Sequence, residues 1–168
     1  GGILGEDGIN GIQLSEDGVG KAYRDFQRSL QSVRTLGVIL CINSKNNADD
    51  VANAFKNHFM MILKDSDFSI KKTNWNDKSH NMIEISNELG VGLESFVFLD
   101  DQPVERELIR VSLPEVAVPD FPDDTFKLQE WFINDVVYRY FPRVSITEED
   151  AQKTGQYLRN FENVFEKF

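Results

Sequence analysis

The sequence predicts an α/β fold in which helices cover both faces of a mostly parallel sheet. The run Phe96–Leu99 is apolar, has the length of a strand and ends in the adjacent carboxylates Asp100 and Asp101. Such a run is typical of a strand buried on both faces, as in the interior of a parallel sheet. A second run of this kind, Val38–Ile42, ends in polar residues, and amphipathic segments flank both runs. This alternation of strands and helices is the pattern of the α/β class.

Composition and charge restrict the class of protein. The chain has 168 residues, of which 40% are hydrophobic, enough for one domain with a buried core. No apolar stretch reaches the length of a membrane span, and the single cysteine, Cys41, allows no internal disulfide and is read as a small buried hydrophobe. A formal net charge of −10 argues against nonspecific nucleic-acid binding. We therefore expect a soluble, cytoplasmic protein with neither membrane nor nucleic acid as a partner.

The chain opens with a segment that does not resemble a core strand. Five glycines separate short apolar pairs between Gly1 and Leu14, which predicts a small N-terminal hairpin flap. The next segment, Lys21–Thr35, has apolar residues at spacings of three and four and predicts an amphipathic helix. Gly37 is placed to end this helix before the strand Val38–Ile42 begins.

Polar residues follow this second strand at the edge of the sheet where Asp100 is also expected. Because parallel strands end at the same edge, Ser44 should lie near Asp100. Asn46 or Asn47 can cap the next helix, which we expect at residues 48–58. Taken alone, a serine at such a junction is most often a simple cap, so the functional interpretation of Ser44 depends on its neighbours in the fold.

A further helix is predicted at Lys78–Leu89, with Gly90 as its C-cap. We expect three residues on its buried face: Met82, Ile83 and Leu89. Lys78 stands in the first turn, where a cation opposes the helix dipole. This lysine therefore needs either solvent or an anionic partner.

After Asp101, the chain adds further helices and one short strand. Pro103 suits the first turn of a helix. The expected elements are a helix at Val104–Val111 with Glu105 on its exposed side, a strand at Glu115–Val118, a helix from Phe126 to about Asn134, and a C-terminal helix that opens at Thr147. We expect residues 1–143 to form the core domain and residues 144–168 to form a C-terminal helix that links to a following domain.

The adjacent acids Asp100 and Asp101 are the strongest candidates for a functional site. Neighbouring carboxylates repel each other unless a cation or a proton separates them, and ligands of open α/β sheets bind at this edge. A divalent metal satisfies both conditions. The two histidines, His58 and His80, lie in helical stretches, so oxygen ligands for Mg2+ are favoured over a zinc or copper site. The alternative is that the acids only cap the following helix.

The order of Ser44, the helix-borne Lys78 and the Asp100-Asp101 pair resembles the second, third and fourth motifs of the haloacid dehalogenase-like (HAD) phosphohydrolases. Four stretches more narrowly resemble the FkbH-like branch of that superfamily: GGILGEDG at 1–8, SKNN at 44–47, NWNDK at 74–78 and FLDDQPVERE at 98–107. The resemblance covers residues 1–119. It implies a HAD-like Rossmannoid three-layer sandwich.

The resemblance also implies a function, a Mg2+-dependent phosphohydrolase or phosphotransferase that acts on a small phosphorylated substrate through an aspartyl-phosphate. Ser44 would hydrogen-bond the transferring phosphoryl group, and Lys78 would neutralise its charge. Asp100 would hold Mg2+, and Asp101 would support it as a further catalytic residue. Two neighbours of Ser44 would add substrate contacts: Lys45 and Asn46.

Departures from the family pattern leave alternatives open. The superfamily's first motif, an Asp-x-Asp at the end of the first strand, supplies the nucleophile and in this branch immediately precedes the glycine-rich flap. No such motif stands before the flap in this sequence, so we expect it upstream of Gly1. The branch often has a cysteine beside the motif-two serine, associated with glyceryl loading of an acyl carrier protein, whereas this chain has Asn43. Glyceryl transfer to a carrier protein and a noncatalytic HAD-fold binding module are therefore alternatives. A receiver domain also has paired acids, but its acids and lysine follow the reverse order along the chain.

Overall fold

The computed structural model describes Leu14 and residues 16–145. The predicted N-terminal flap, apart from Leu14, and the helix predicted from Thr147 lie outside this range. In chain order the elements are helix α1 (Gly18–Thr35), strand β1 (Leu40–Ser44), helix α2 (Ala48–Asn57), strand β2 (Phe68–Thr73), helix α3 (Lys78–Leu89), helix α4 (Pro103–Ser112) and helix α5 (Leu128–Trp131). Helix α5 continues into a π-helical segment, Phe132–Val137, and a last turn, α6 (Tyr138–Tyr140). No helix of the described part is long and apolar enough to cross a membrane.

The strands pair in parallel. Strand β1 lies beside β2, with Leu40 opposite Phe68 and Ser44 opposite Thr73. A second parallel pair forms around Val97, where the amide of Phe98 donates to the carbonyl of Ala117 at 2.8 Å. The strands predicted at Phe96–Leu99 and Glu115–Val118 are therefore represented by one bridge between extended segments.

Helices pack on both faces of the extended segment Phe96–Leu99. Its odd-numbered side chains pack against a cluster from α1, α5 and the segment after α5: Val33, Leu128, Trp131, Phe132 and Val136. Its even-numbered side chains pack on the other side, against α3, α4 and the loop after α4: Met82, Ile109, Leu113 and Val116. This arrangement confirms the predicted α/β architecture with helices on both faces of a parallel sheet.

The two parallel pairs are separated by an apolar cavity. Within the described residues, the sheet that contains β1 joins it to β2 alone. A cavity of about 630 Å³ is lined by residues from β1 and from Ser95–Leu99. Cys41 and Val97 are among the lining residues. The extended segment Phe96–Leu99 is called the Val97 segment from here on. One edge of β1 and one edge of the Val97 segment thus face the same cavity.

Helix α3 has the predicted bounds, but its buried face differs from the prediction. Gly90 ends the helix in the left-handed conformation, with a φ of 65°, which glycine adopts without steric cost. Ile83 was expected to face inward and is 42% exposed, whereas Ile85 is 1% exposed. The physical reason is that two polar residues, Lys78 and Asn81, also belong to the buried face, and a hydropathy pattern assigns such residues to the surface.

The helix predicted from Phe126 to about Asn134 begins at Leu128 and continues through the π-helical segment to Tyr140, more than a turn beyond the expected end. Other boundaries shift by a turn or less. Helix α1 begins at Gly18 instead of Lys21, and β1 spans Leu40–Ser44 instead of Val38–Ile42, so Ser44 is the last residue of the strand. Asn47 occupies the N-cap position of α2, as predicted, but its side chain makes no cap hydrogen bond. Its Nδ2 donates instead to Asp50, at 3.1 Å.

Candidate active site

Polar groups from the ends of three elements meet in one cavity of about 520 Å³. The end of β1, the first turn of α3 and the loop before α4 each contribute to it. All of the residues that the sequence singled out line this cavity: Ser44, Lys45, Asn46, Lys78, Asp100 and Asp101. Because parallel strands end at the same edge, the fold itself brings these distant positions together.

A buried ion pair lies at the centre of this group. Nζ of Lys78 is 2.5 Å from Oδ2 of Asp100, and the two side chains are only 10% and 8% exposed. The other carboxylate oxygen, Oδ1, accepts a hydrogen bond from the amide of Gln102 at 2.9 Å. Lys78 therefore has the anionic partner that its position in the first turn of a helix demands. At such low exposure the pair is screened by solvent far less than a surface pair.

Ser44 is positioned at the end of β1 with its hydroxyl partly engaged. Its Oγ accepts a hydrogen bond from Nδ2 of Asn46 at 2.9 Å, so Asn46 contacts Ser44 and does not cap α2. A hydroxyl that accepts one hydrogen bond still has its own hydrogen to donate. Ser44 can therefore offer a donor to an anionic group in the cavity.

Asn43 holds the main chain of the lysine-bearing helix. Its Nδ2 donates to the carbonyl oxygen of Lys78 at 2.8 Å, and its Oδ1 accepts from Nδ2 of Asn81 at 3.1 Å. This is the position at which the FkbH-like pattern often has cysteine. Here an amide occupies it, and both ends of that amide are hydrogen-bonded.

Lys45 pairs with a residue whose role was not predicted. Its Nζ lies 2.7 Å from Oε1 of Glu105, and this hydrogen bond raises the pKa of Lys45 above its ordinary value. Glu105 was expected on the exposed side of its helix, but it is half-buried and lines the cavity. That expectation is wrong because Lys45, 60 positions earlier in the chain, folds back over the first turn of α4.

The loop that carries the two acids is held through its main chain. Nη1 of Arg106 donates to the carbonyl oxygens of Asp100, at 2.9 Å, and of Asp101, at 3.0 Å. Pro103 begins α4 directly after this loop. The side chain of Asp101 is exposed at the cavity, so the two neighbouring acids differ in burial.

An apolar wall completes the cavity. It is formed by residues from α1, from the Val97 segment and from the region of α5: Tyr23, Phe26, Leu99, Phe121 and Leu128. Sequence reasoning did not assign these residues to a site. Their apolar spacing in the sequence is that of ordinary core residues, so no local signal distinguishes them.

The residues present fit a hard cation only in part. Asp100 and Asp101 offer carboxylate oxygens, the ligand type that Mg2+ prefers, and Mg2+ sites in proteins commonly combine one or two carboxylates with waters and substrate phosphate. Among residues 14 and 16–145, no group of three or more His, Cys, Asp or Glu side chains could hold a metal ion. Neither His58 nor His80 lines the cavity. The described donor set therefore suits Mg2+ better than zinc or copper.

Comparison with known proteins identifies one type of relative. No family model matches the chain, and no curated protein matches it significantly. A solved structure does match: the crystal structure of the N-terminal part of the protein BF1531 from Bacteroides fragilis, which contains a phosphatase domain complexed with Mg. Sequence identity is 36% and the TM-score is 0.77; the match covers 79% of this chain and 36% of that chain. This similarity confirms the predicted fold class.

Proposed function

We propose that the chain forms the core of a Mg2+-dependent HAD-type phosphohydrolase or phosphotransferase of the FkbH-like branch, acting on a small phosphorylated substrate. The observation that carries the proposal is the buried pair Lys78–Asp100 in a cavity that Ser44 also lines. The fold similarity to a protein that contains a phosphatase domain complexed with Mg supports it independently. A cavity that combines a cation, a hydroxyl donor and carboxylates suits phosphoryl transfer, which depends mainly on positioned charges and donors.

The residues of the cavity divide this task between them. Ser44 donates its hydroxyl hydrogen to an oxygen of the transferring phosphoryl group, and Lys78 neutralises the charge that this group brings. Lys45 and Asn46 contact the rest of the substrate or the phosphate oxygens. Asp100 holds Mg2+, which when bound supplies further positive charge for the phosphate oxygens.

Asp101 has a supporting role in this proposal. Its side chain is exposed at the cavity while that of Asp100 is buried, and successive residues of an extended chain point to opposite sides. Asp101 therefore accepts hydrogen bonds or reaches the metal through water. The main-chain contacts from Arg106 keep both acids at this edge.

The nucleophile in this proposal is an aspartate of the superfamily's first motif, on a strand that this sequence does not contain. The apolar cavity between β1 and the Val97 segment has the lining that a central strand needs. Asn43 and Leu99 line both this cavity and the polar one. A strand seated between the two parallel pairs would thus carry its end into the site, next to Lys78 and Asp100.

Plain phosphatase action is favoured over glyceryl transfer to an acyl carrier protein. Asn43 uses its amide to hold Lys78 and Asn81 and offers no thiol. Cys41 lies on the same face of the strand, two residues earlier, but it lines the apolar cavity, and burial raises the pKa of its thiol. A thiol of raised pKa is a poor nucleophile near neutral pH.

The proposal is tested with the full-length protein and p-nitrophenyl phosphate as a generic ester. We expect hydrolysis that requires Mg2+ and stops when EDTA is added. Absence of hydrolysis at every Mg2+ concentration, in a protein shown to be folded, would leave the noncatalytic binding module as the better interpretation. Transfer of a glyceryl group to an acyl carrier protein, measured in parallel by mass spectrometry, would instead establish the carrier-loading alternative.

A further inference from the structure

Three asparagine side chains form a hydrogen-bonded cluster beside the ion pair, with Asn81 at its centre. Asn81, on α3, is 0% exposed. Its Nδ2 donates to Oδ1 of Asn43 at 3.1 Å and to Oδ1 of Asn74 at 2.9 Å. Nδ2 of Asn74 donates back to Oδ1 of Asn81 at 3.2 Å. One buried side chain therefore connects the end of β1 with the loop that follows β2.

The same cluster is attached to the main chain of both phosphoryl-binding residues. Asn43 donates to the carbonyl oxygen of Lys78 at 2.8 Å. The backbone amide of Asn74 donates to the carbonyl oxygen of Ser44 at 3.2 Å. A shift of Asn81 would therefore be transmitted to the serine at the end of β1 and to the lysine at the start of α3.

The choice of asparagine at position 81 is not explained by the need for a hydrophobic core. The buried face of α3 is already apolar at Met82 and Ile85. A buried amide costs free energy unless its donors and acceptor are bonded, and Asn81 satisfies this condition with both donors and with its oxygen. A fully satisfied buried polar network fixes one geometry more strictly than apolar packing does.

We propose that Asn81 is a positioning residue that fixes Ser44 and Lys78 relative to each other for binding of the phosphoryl group. This inference rests on the function proposed above and deepens it. Asn81 itself does not line the polar cavity, so it acts through Asn43 and Asn74. Such a residue affects the rate through geometry, because displacement of a charge donor by about an ångström can lower turnover by as much as two orders of magnitude.

The test compares two substitutions on the same helix of the full-length protein. Asn81→Leu removes the three side-chain hydrogen bonds that join Asn81 to Asn43 and Asn74. Asn87→Leu changes an exposed asparagine and serves as the matched control. For p-nitrophenyl phosphate we expect Asn81→Leu to lower kcat by about tenfold or more per folded molecule, and Asn87→Leu to leave it within about twofold. A lowered melting temperature with an unchanged kcat of the folded fraction would show a purely structural role and would overturn the proposal.

A second variant keeps the proposal testable should Asn81→Leu fail to fold. Asn43→Asp retains an oxygen that accepts from Asn81, but it removes the donor to the carbonyl of Lys78. We expect it to lower kcat by a similar factor while the protein stays folded by circular dichroism. An unchanged kcat in folded Asn43→Asp would contradict transmission through Asn43.

A spectroscopic measurement separates this inference from the proposed function. The side-chain 13Cε resonance of Lys78, recorded by NMR at one fixed pH, reports its surroundings whether or not the protein hydrolyses any ester. We expect the resonance to move in Asn81→Asp, in which a carboxylate faces the oxygens of Asn43 and Asn74, and to stay in place in Asn87→Asp. If wild type shows no hydrolysis but the resonance moves, the proposed function fails and the positioning role stands; a resonance that stays in place in Asn81→Asp overturns the positioning role.

Discussion

The ammonium nitrogen of Lys78 lies 2.5 Å from a carboxylate oxygen of Asp100, although the two residues are 22 positions apart in the sequence. Each is among the least exposed charged groups of the described residues. Because both side chains are buried, the removal of one charge leaves the other without compensation, which costs far more than the loss of a surface pair. The pair therefore links the stability of this region to its chemistry.

Lys78→Met should affect both activity and stability. Turnover of p-nitrophenyl phosphate should fall by about a hundredfold or more, since loss of one preorganised charge donor has effects of that order. The free energy of unfolding, measured with urea, should fall by about 1–3 kcal/mol because Asp100 is left buried and unpaired. Lys71→Met, which breaks the more exposed pair with Asp65, is the control and should cost less than about 1 kcal/mol. Near-normal turnover of Lys78→Met would show that Lys78 does not take part in the reaction.

Asp100→Asn should weaken or abolish the activation of the enzyme by Mg2+. The amide keeps the size of the side chain but has lost the negative charge that Mg2+ prefers in a ligand. In a titration of Mg2+ against phosphatase activity, we expect the mutant to need a far higher Mg2+ concentration than wild type, or to show no activation. Identical activation curves for the two proteins would exclude Asp100 as a metal ligand.

Substitutions of Lys45 and of Glu105 should change substrate affinity in opposite directions. Lys45→Ala removes a cation from the cavity and should raise KM by several-fold with little effect on kcat, the pattern expected when ground state and transition state lose the same contact. Glu105→Gln removes the carboxylate that neutralises Lys45, so KM for an anionic substrate should fall. Lys56→Ala, at an exposed position on α2, is the control for net charge. A rise of KM in Glu105→Gln would show that Glu105 is needed chiefly to orient Lys45.

Cys41 should react slowly with alkylating reagents while the protein is folded. Burial raises the pKa of its thiol above the ordinary value, so the reactive thiolate is scarcer than in a free cysteine at neutral pH. A raised pKa favours the folded state below the unfolded-state pKa, and this contribution is lost as the pH rises through the folded-state pKa. We therefore expect the iodoacetamide reaction to accelerate upon unfolding in urea, and the stability of wild type to decline at alkaline pH more than that of Cys41→Ala. Equal reaction rates in the folded and unfolded protein would show that burial does not protect Cys41, and would contradict the argument against a role for its thiol as a nucleophile.

The sequence was sufficient to predict the positions that depend on topology. Ser44 and Asp100 each follow an apolar run, and parallel strands place such ends at one edge, so their meeting in one cavity followed from local patterns. The pairing of Lys78 with Asp100 was anticipated only as a requirement for some anion. Which anion it would be depends on side-chain packing, which has no local signature.

The errors have the same origin. Ile83 was placed inward from the apolar pattern of the helix alone, whereas the buried face also includes Lys78 and Asn81, which an ion pair and tertiary hydrogen bonds satisfy. Glu105 was placed outward because its partner, Lys45, is 60 positions away. Buried polar residues are satisfied by distant partners, so periodicity alone misassigns them.

Arg106 donates hydrogen bonds to the main-chain carbonyl oxygens of Asp100 and Asp101. These two contacts do not involve the carboxylate groups. At position 101 the path of the chain thus depends on main-chain contacts and not on the exposed side chain. At position 100 the carboxylate adds its own contacts, to the amide of Gln102 and to the ammonium group of Lys78. A substitution at position 101 can therefore alter the group offered to the cavity while the backbone keeps its path. Natural variation or protein engineering can therefore change the chemistry of this edge through one exposed side chain, Asp101, without rebuilding the loop that carries it.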